Sequence, residues 1–500
     1  MFPGFRDFSS RVRTYGGRMP EFLAETYTPR GAAAPRACDV ARAVGQVSQP
    51  GAAARREKSQ APAASSALML RLNHPVAVSV IAFVAWLGYV VVRWQVWAKG
   101  HITLFIMSGV KDYSHPGEMV PRISHVPAQG YDGQFYYRFA RGPFNWNRTA
   151  YGIMIDHNYR YTRIGYSLVA WIVSLGGNAR LLPTVLVVIN LVCVALMAYL
   201  GAKLARESGR HALWGLACVA YMGLVISVGR DTSEPLADAC MLAGILAYRH
   251  SRYIWAALFV AYAVFTNEPI LTLAAAFALV RLCQMWKKQV RPGIQDLVWV
   301  LPGAVYVILQ IAEKIVVKGT SGGLADASSN LTLPFKALVP GVYRNIAESS
   351  WTHLNRYGYN YNYNLIDFIA LAIIVVAAHQ VIRAAKLSLE EKAAFVGFVL
   401  VEIVLASGQF WDSTFGAGRT YIEAFLIGVL LLLSTPAGTV TRAVTDAAAT
   451  ARTTLPGKVF TLPGKVFAAD RLMTNKRLGW LMAFPVFVLI LVAPRYIVYQ

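Results

Sequence analysis

The chain has 500 residues, 56% hydrophobic and only 15% charged, with a mean hydropathy of +0.43. Soluble domains carry roughly 25% charged residues, so a soluble globular protein is excluded. The alternating pattern of a β-barrel is absent too, which leaves an all-α polytopic membrane protein. The net charge of +22 falls in short clusters between apolar runs, as the positive-inside bias produces, and no zinc-finger or RNP-like motif suggests nucleic acid.

Residues 1–68 are rich in Ala, Arg, Pro, Ser and Gly with little apolar periodicity, and read as a disordered basic cytoplasmic tail. Its Arg-rich, acid-poor composition matches an organelle transit peptide; a start upstream of a natural initiator at Met69 is the favoured alternative. The first predicted span covers about 75–95. Its apolar core is too long for a signal-peptide core, so it reads as an uncleaved signal anchor with a cytoplasmic N-terminus. A long polar loop follows over 98–165. The apolar stretch Ile164–Leu175 is too short to span and is predicted to be an interfacial or re-entrant helix.

Further spans are predicted near 181–202, 212–229, 233–248, 254–266, 269–284, 295–312, 365–382, 393–408, 421–436 and 478–495. With the first, about eleven helices cross the membrane. Alternating sides from a cytoplasmic start puts Lys203, Arg206, Arg210, Arg249, Arg252, Arg281, Lys287, Lys288, Arg291, Arg383, Lys386 and Lys392 in the inner loops. The short outer loops carry only Arg230 and Arg419, which supports this orientation. A core over 69–436, with outer loops 98–165 and 314–364, is followed by a basic inner segment, 437–477, and a last helix within 478–500. The inner segment repeats TLPGKVF at 454–460 and 461–467, a local duplication suited to an anionic lipid surface. Cys38, Cys193, Cys218, Cys240 and Cys283 lack CxxC spacing; four lie in apolar runs, where packing is the expected role.

This topology gathers the unusual polar residues on the outer face. Asp132 stands in GYDGQFYYRFARGPF (130–144), among aromatics, glycines and arginines. Arg230-Asp231-Thr232-Ser233-Glu234, Thr266-Asn267-Glu268-Pro269 and Gln409-Phe410-Trp411-Asp412 with Arg419 occupy other outer turns. Asp231, Glu234 and Asp238 have i, i+3, i+7 spacing, so one helix face is expected to carry all three. Asp238 would then lie a turn inside the hydrocarbon, where a carboxylate needs a polar cavity or a buried ion pair with an arginine such as Arg230. Glu402, mid-span, is a second case.

The loop with YDGQFYY, followed by Asn158-Tyr159-Arg160-Tyr161-Thr162-Arg163-Ile164-Gly165-Tyr166, resembles the GT-C class of integral membrane glycosyltransferases. More narrowly, it is similar to bacterial membrane proteins implicated in cell-surface glycopolymer formation. The likeness runs from about 75 to 436; Gly165-Tyr166-Ser167 departs from it, since such families often place a proline there. The resemblance implies a GT-C-like bundle whose long first non-cytoplasmic loop carries short juxtamembrane helices. It also implies a polyprenyl-phosphate sugar donor, a glycan or lipid acceptor, inversion at C1, and an Asp general base, here Asp132. The setting would be the bacterial inner membrane, with the site on the periplasmic face.

The chemistry is consistent with those residue types. A departing phosphate needs charge stabilisation rather than a strong acid, and arginine forks bind phosphate in bidentate fashion. Arg138, Arg160, Arg163, Arg230 and Arg419 are the candidates, with Asp231, Glu234, Glu268 and Gln134 as polar contacts. Tyr131 and Tyr137 suit either a sugar platform or an interfacial anchor. No cofactor is expected. His101, His115, His125 and His157 lack metal-site spacing, so a divalent ion is unsupported. Asn147-Arg148-Thr149 and Asn330-Leu331-Thr332 are read as accidental sequon matches. Two other readings stay open. Asp238 and Glu402 would suit a transporter or flippase of lipid-linked glycan, although no inverted repeat supports one. A non-catalytic membrane scaffold is the third.

Overall fold

The computed structural model describes residues 72–109, 125–126, 130–316, 332–347, 361–404, 411, 419 and 421–436. The basic tail, the TLPGKVF duplication, the last expected span and most of loop 314–364 lie outside the described residues. The described chain is mostly helical.

Helix α1 (Pro75–Val92) begins with proline in its first turn and a His74 side chain accepting from the Val76 amide, then runs into a short π-helical turn, Arg93–Trp97. Its exposed residues Val76, Val80, Val84, Leu87 and Val91 recur every three or four positions, while Val78, Ala82, Trp86 and Tyr89 are buried. Large apolar side chains thus point away from the protein along one whole helix face, the arrangement expected where lipid rather than water is the solvent. The same pattern recurs on α4 (Leu182–Glu207), with Val188, Val192 and Leu196 outward.

Between these helices the 98–165 region folds against the bundle. Helix α2 (Gly133–Arg141) is buried along almost its whole length. A hairpin joins two short strands, Thr149–Ala150 and Ile153–Met154, through Tyr151 and Gly152, both at positive φ as a type I′ turn requires. A 3₁₀ turn over Asn158–Thr162 leads to α3 (Gly165–Val173), which packs on α2 and fills the place predicted for a short, non-spanning helix.

After α4 the apolar run 212–229, expected as one span, is broken in the middle. It forms a 3₁₀ segment, Ala212–Val219, and helix α5 (Met222–Gly229), bent by 63°. Tyr221 is extended, so the helical ladder is interrupted there. Gly215 presses so closely on α4 that an added Cβ would lie 2.2 Å from the Ala202 nitrogen. Hydropathy records neither the break nor this close approach.

The remaining elements are α6 (Glu234–Arg249), α7 (Tyr253–Thr266), α8 (Leu271–Trp286), α9 (Leu297–Val316), α10 (Leu338–Ala347), α11 (Tyr361–Val381), α12 (Leu389–Val404) and α13 (Ile422–Leu433). Helix α6 packs between α4 and α7, α9 against α7 and α8, α12 against α8, and α13 against α11 and α12. Among the described residues four helices are long and apolar enough to cross a membrane, and a fifth crossing results if the bent pair is one span. These mark the chain as a membrane protein. Cys193 and Cys218 are buried, as packing residues should be, but Cys283 is exposed.

Candidate functional site

Asp132 stands immediately before the first residue of α2, and its carbonyl accepts from the amides of Phe135 and Tyr136. A carboxylate at a helix N-terminus is favoured by the helix dipole. Both of its oxygens are engaged. Arg160 Nη1 donates to Oδ1 at 2.8 Å, and Arg419 Nη2 lies 2.5 Å from Oδ2. Each arginine is anchored in turn. Arg419 Nε is 2.6 Å from Glu234 Oε1, and Glu234 Oε2 accepts from the Ser227 hydroxyl. Asp156 receives both the Nε and the Nη2 of Arg160. The Arg160 guanidinium also lies over the Phe135 ring, 3.8 Å from its centroid.

A second clasp stands beside the first. Arg163 donates to both oxygens of Glu268, at 2.6 and 2.8 Å, with its guanidinium over Tyr159. Tyr131 lies under two cations, its ring centroid 4.4 Å from the Arg230 guanidinium carbon and 5.3 Å from that of Arg419. The set holds Arg160, Arg163, Arg230 and Arg419 against Asp132, Asp156, Glu234 and Glu268, so its formal charges cancel.

Burial alone would push the Asp132 carboxyl up, but Arg419 and Arg160 outweigh it and hold it well below the usual carboxylate range. Burial works against the charge of all three clasp arginines. Asp132 more than offsets it for Arg160, Glu268 for Arg163, and Asp132 with Glu234 for Arg419, so all three stay protonated. Burial pushes the Tyr131 hydroxyl up, which keeps it a neutral hydrogen-bonding group. Chemically, the site is a carboxylate held ionised between two guanidinium groups, each of which can bind a phosphate.

The site residues expected from sequence separate into two groups. Asp132, Tyr131, Arg160, Arg230, Glu234 and Arg419 are connected by the contacts above, and Arg163 with Glu268 joins them through Tyr159, whose ring meets the guanidinium groups of both Arg160 and Arg163. Gln134, Tyr137, Arg138 and Asp231 are not. Gln134 is fully buried and accepts from the Gly109 amide. Tyr137 is fully buried. Arg138 donates to the Asn147 carbonyl and lies over Phe139 and Tyr161.

Asp231 does not share a helix face with Glu234 and Asp238 as its spacing suggests. It precedes α6 at φ 49°, in the left-handed region, so the chain turns between Asp231 and Glu234. Its carboxylate is fully buried with neither oxygen hydrogen-bonded among the described residues; burial pushes it well up, against the pull of Arg93. Of the two settings weighed for Asp238, the ion pair with an arginine is absent among the described residues: Asp238 is fully buried and both oxygens lack a hydrogen-bond partner.

Sequence reasoning missed Asp156 and Glu423. The i, i+4 spacing of Asp156 and Arg160 was the available signal for the first. Glu423 opens α13 and accepts from Asn267 of the TNEP turn, and no local pattern marks it. Among the described residues no group of three or more His, Cys, Asp or Glu side chains is arranged to hold a metal ion. Of the four loop histidines, His101 and His157 are described, and the side chains of His115 and His125 lie outside the described residues. No protein-family model matches the chain, and neither a curated protein nor a solved structure is similar enough to match it.

Proposed function

We propose that the chain is a membrane glycosyltransferase that moves a sugar from a polyprenyl-phosphate donor to a cell-envelope glycan or lipid-linked acceptor, with inversion. The fold belonging to this reading is a GT-C-like bundle of about eleven spans in the bacterial inner membrane. Its N-terminus is cytoplasmic and its site lies on the periplasmic face. One observation carries it: the Asp132 carboxylate held between Arg160 and Arg419.

In this mechanism the acceptor hydroxyl gives its proton to Asp132 as its oxygen attacks C1. The C1–O bond to phosphate breaks, and its electron pair leaves with the phosphate. A carboxylate with both oxygens ion-paired is a weak base. The donor phosphate competes for the Arg160 and Arg419 forks, and drawing one of them away frees an Asp132 oxygen at the moment the base is needed. Asp156 and Glu234 then keep the arginines aimed at the phosphate.

The test is sugar transfer from defined polyprenyl-phosphate donors in detergent. Asp132→Asn loses about 10²–10⁴ in turnover while folding normally; turnover equal to wild type would remove the assigned base.

The buried Asp238 favours a second reading, an ion-coupled carrier of lipid-linked glycan, because an unpaired intramembrane acid is a common mark of a coupling site. In proteoliposomes, glycolipid translocation that Asp238→Asn abolishes and Asp132→Asn spares would decide for the carrier.

A further inference from the structure

Helix α6 joins two polar regions. Its first residue, Glu234, holds Arg419 beside Asp132. Its last, Arg249, lines a cavity of about 390 Å³ at the other end of the helix. At 1.5 Å rise per residue the two ends are about 22 Å apart. The cavity is built where the C-terminal ends of α4, α6 and α13 meet the turn before α12. Every residue lining it carries a polar or charged group, and four of them are serines. A dry packing defect would be apolar.

The hydrogen bonds of this cavity leave an excess of donors. Of its two acids, Glu391 has both oxygens engaged and Glu207 has one contact. Glu391 takes Arg249 Nε at 2.8 Å and the Ser388 amide at 2.9 Å, and Glu207 is 3.0 Å from His250 Nε2. The Ser434 hydroxyl accepts from Arg249 Nη2, the Ser388 hydroxyl from the Glu391 amide and the Ser251 hydroxyl from Tyr253. A hydroxyl that accepts keeps its own proton to donate. The Lys386 ammonium and Arg249 Nη1 have no side-chain hydrogen bond or ion pair among the described residues. Two carbonyls just past the end of α13, which would repel an anion, are occupied: Ser434 O takes the Lys386 amide and Thr435 O takes Arg210. Lys203, Arg206, Arg210, Arg252, Arg383 and Lys392 lie at the same end of the helices and add positive field.

A cavity whose ammonium, one guanidinium nitrogen and serine hydroxyls keep protons to donate is suited to an anion that only accepts. We propose that this cavity binds a phosphate group, with Lys386 as its principal charge and Arg249 and the serine hydroxyls as hydrogen-bond donors. The site is separate from Asp132 and does not rest on the transferase reading. The phosphate comes either from a phospholipid headgroup or from a soluble phosphate compound.

The experiment uses the full chain, purified in detergent or in nanodiscs, with its unfolding midpoint as readout. One arm titrates inorganic phosphate against sodium chloride at equal ionic strength. The other compares phosphatidylglycerol with phosphatidylcholine nanodiscs. Lys386 is exposed, so Lys386→Gln removes the charge without touching the core, and Lys386→Arg keeps it. A saturable rise of the midpoint is expected in wild type and Lys386→Arg, with at least tenfold weaker apparent affinity in Lys386→Gln. A Lys386-dependent response to phosphatidylglycerol alone assigns the lipid as source; a response to inorganic phosphate assigns a soluble one. A wild type that responds to neither probe, or a Lys386→Gln variant that responds as wild type does, overturns the proposal.

Discussion

Asp132 and Asp231 are two acids in nearly the same local setting and in opposite chemical states. Each stands just ahead of a helix, and each is largely shut off from water. Asp132 has a guanidinium on each oxygen and is held well below the carboxylate range; Asp231 has no hydrogen-bond partner among the described residues, and burial drives it well up. Desolvation penalises both, and only specific pairing reverses it. In a membrane protein rich in acids, partners rather than exposure or position identify the carboxylate that carries charge.

The most direct way to erase the difference is Arg419→Ala. It leaves Asp132 Oδ2 and Glu234 Oε1 unpaired in a site where both side chains are largely buried. Removing one partner of a buried pair costs about 3–5 kcal/mol, read as a fall in the chemical-unfolding midpoint. Lys in place of Arg419 keeps the charge but not a fork that reaches two carboxylates, so an intermediate loss is expected. The pH dependence moves as well. A carboxyl depressed on folding contributes stability above its unfolded pKa, about 3.9, and loses it as pH falls through the folded value. The wild-type clasp therefore holds from neutral pH down to about 4. Arg419→Ala removes the largest influence holding Asp132 down and leaves burial to push it up, so the acid-induced loss should shrink and the deficit against wild type should narrow as pH falls, which unfolding midpoints from pH 8 to pH 3 check.

Gly133→Ala strikes the join between the two acids' loops. A Cβ there would meet the Arg230 carbonyl at 2.3 Å and the Ile106 carbonyl at 2.7 Å. Both are backbone, so the Asp132 turn must move away from the 230–234 turn. Overpacking of this kind costs about 1–3 kcal/mol, and the displaced clasp should lower any turnover further than the stability loss alone explains. Asp156→Asn is gentler. It keeps one acceptor for Arg160 but gives up the charge, a loss of about 1.5 kcal/mol. If Asp156 only positions Arg160, donor KM should rise more than kcat falls.

The helical class and several of the helices could be read from sequence because long apolar runs have few structural solutions in a membrane; of the eleven spans expected, four or five are long and apolar enough to cross among the described residues. The 181–202 run became α4, extended at its end by Lys203, Arg206 and Glu207 on a helical surface. The short Ile164–Leu175 stretch became a nine-residue helix. Hydropathy failed where geometry depends on close packing, as at Gly215, and where a left-handed residue turned the chain, as at Asp231. The site was legible by residue type but not by pairing. Asp132, Arg160, Glu234 and Arg419 come from four separate segments, and nothing local joins them. Arg138 belongs to the same motif as Asp132 and is the same residue type as Arg160, yet it is spent on a loop carbonyl and two rings.

The smallest effect has the opposite sign, and it tests the comparison from the other side. Asp231 sits at φ 49°, a backbone region that asparagine tolerates at least as well as aspartate, so Asp231→Asn adds no strain. A carboxyl whose value is raised on folding stabilises the protein fully only below its unfolded pKa. That contribution is lost as pH rises through the folded value, because ionising the group in place is resisted by burial. Asparagine cannot ionise, so the variant should be more stable than wild type at pH 8, by about 1 kcal/mol. The gain should shrink as pH falls toward 5. A gain that does not change with pH would mean that Asp231 is as fully paired as Asp132, and the contrast between the two acids would fail. A loss at pH 8 would mean that its charge is used, with Arg93, the cation acting on it among the described residues, as the partner.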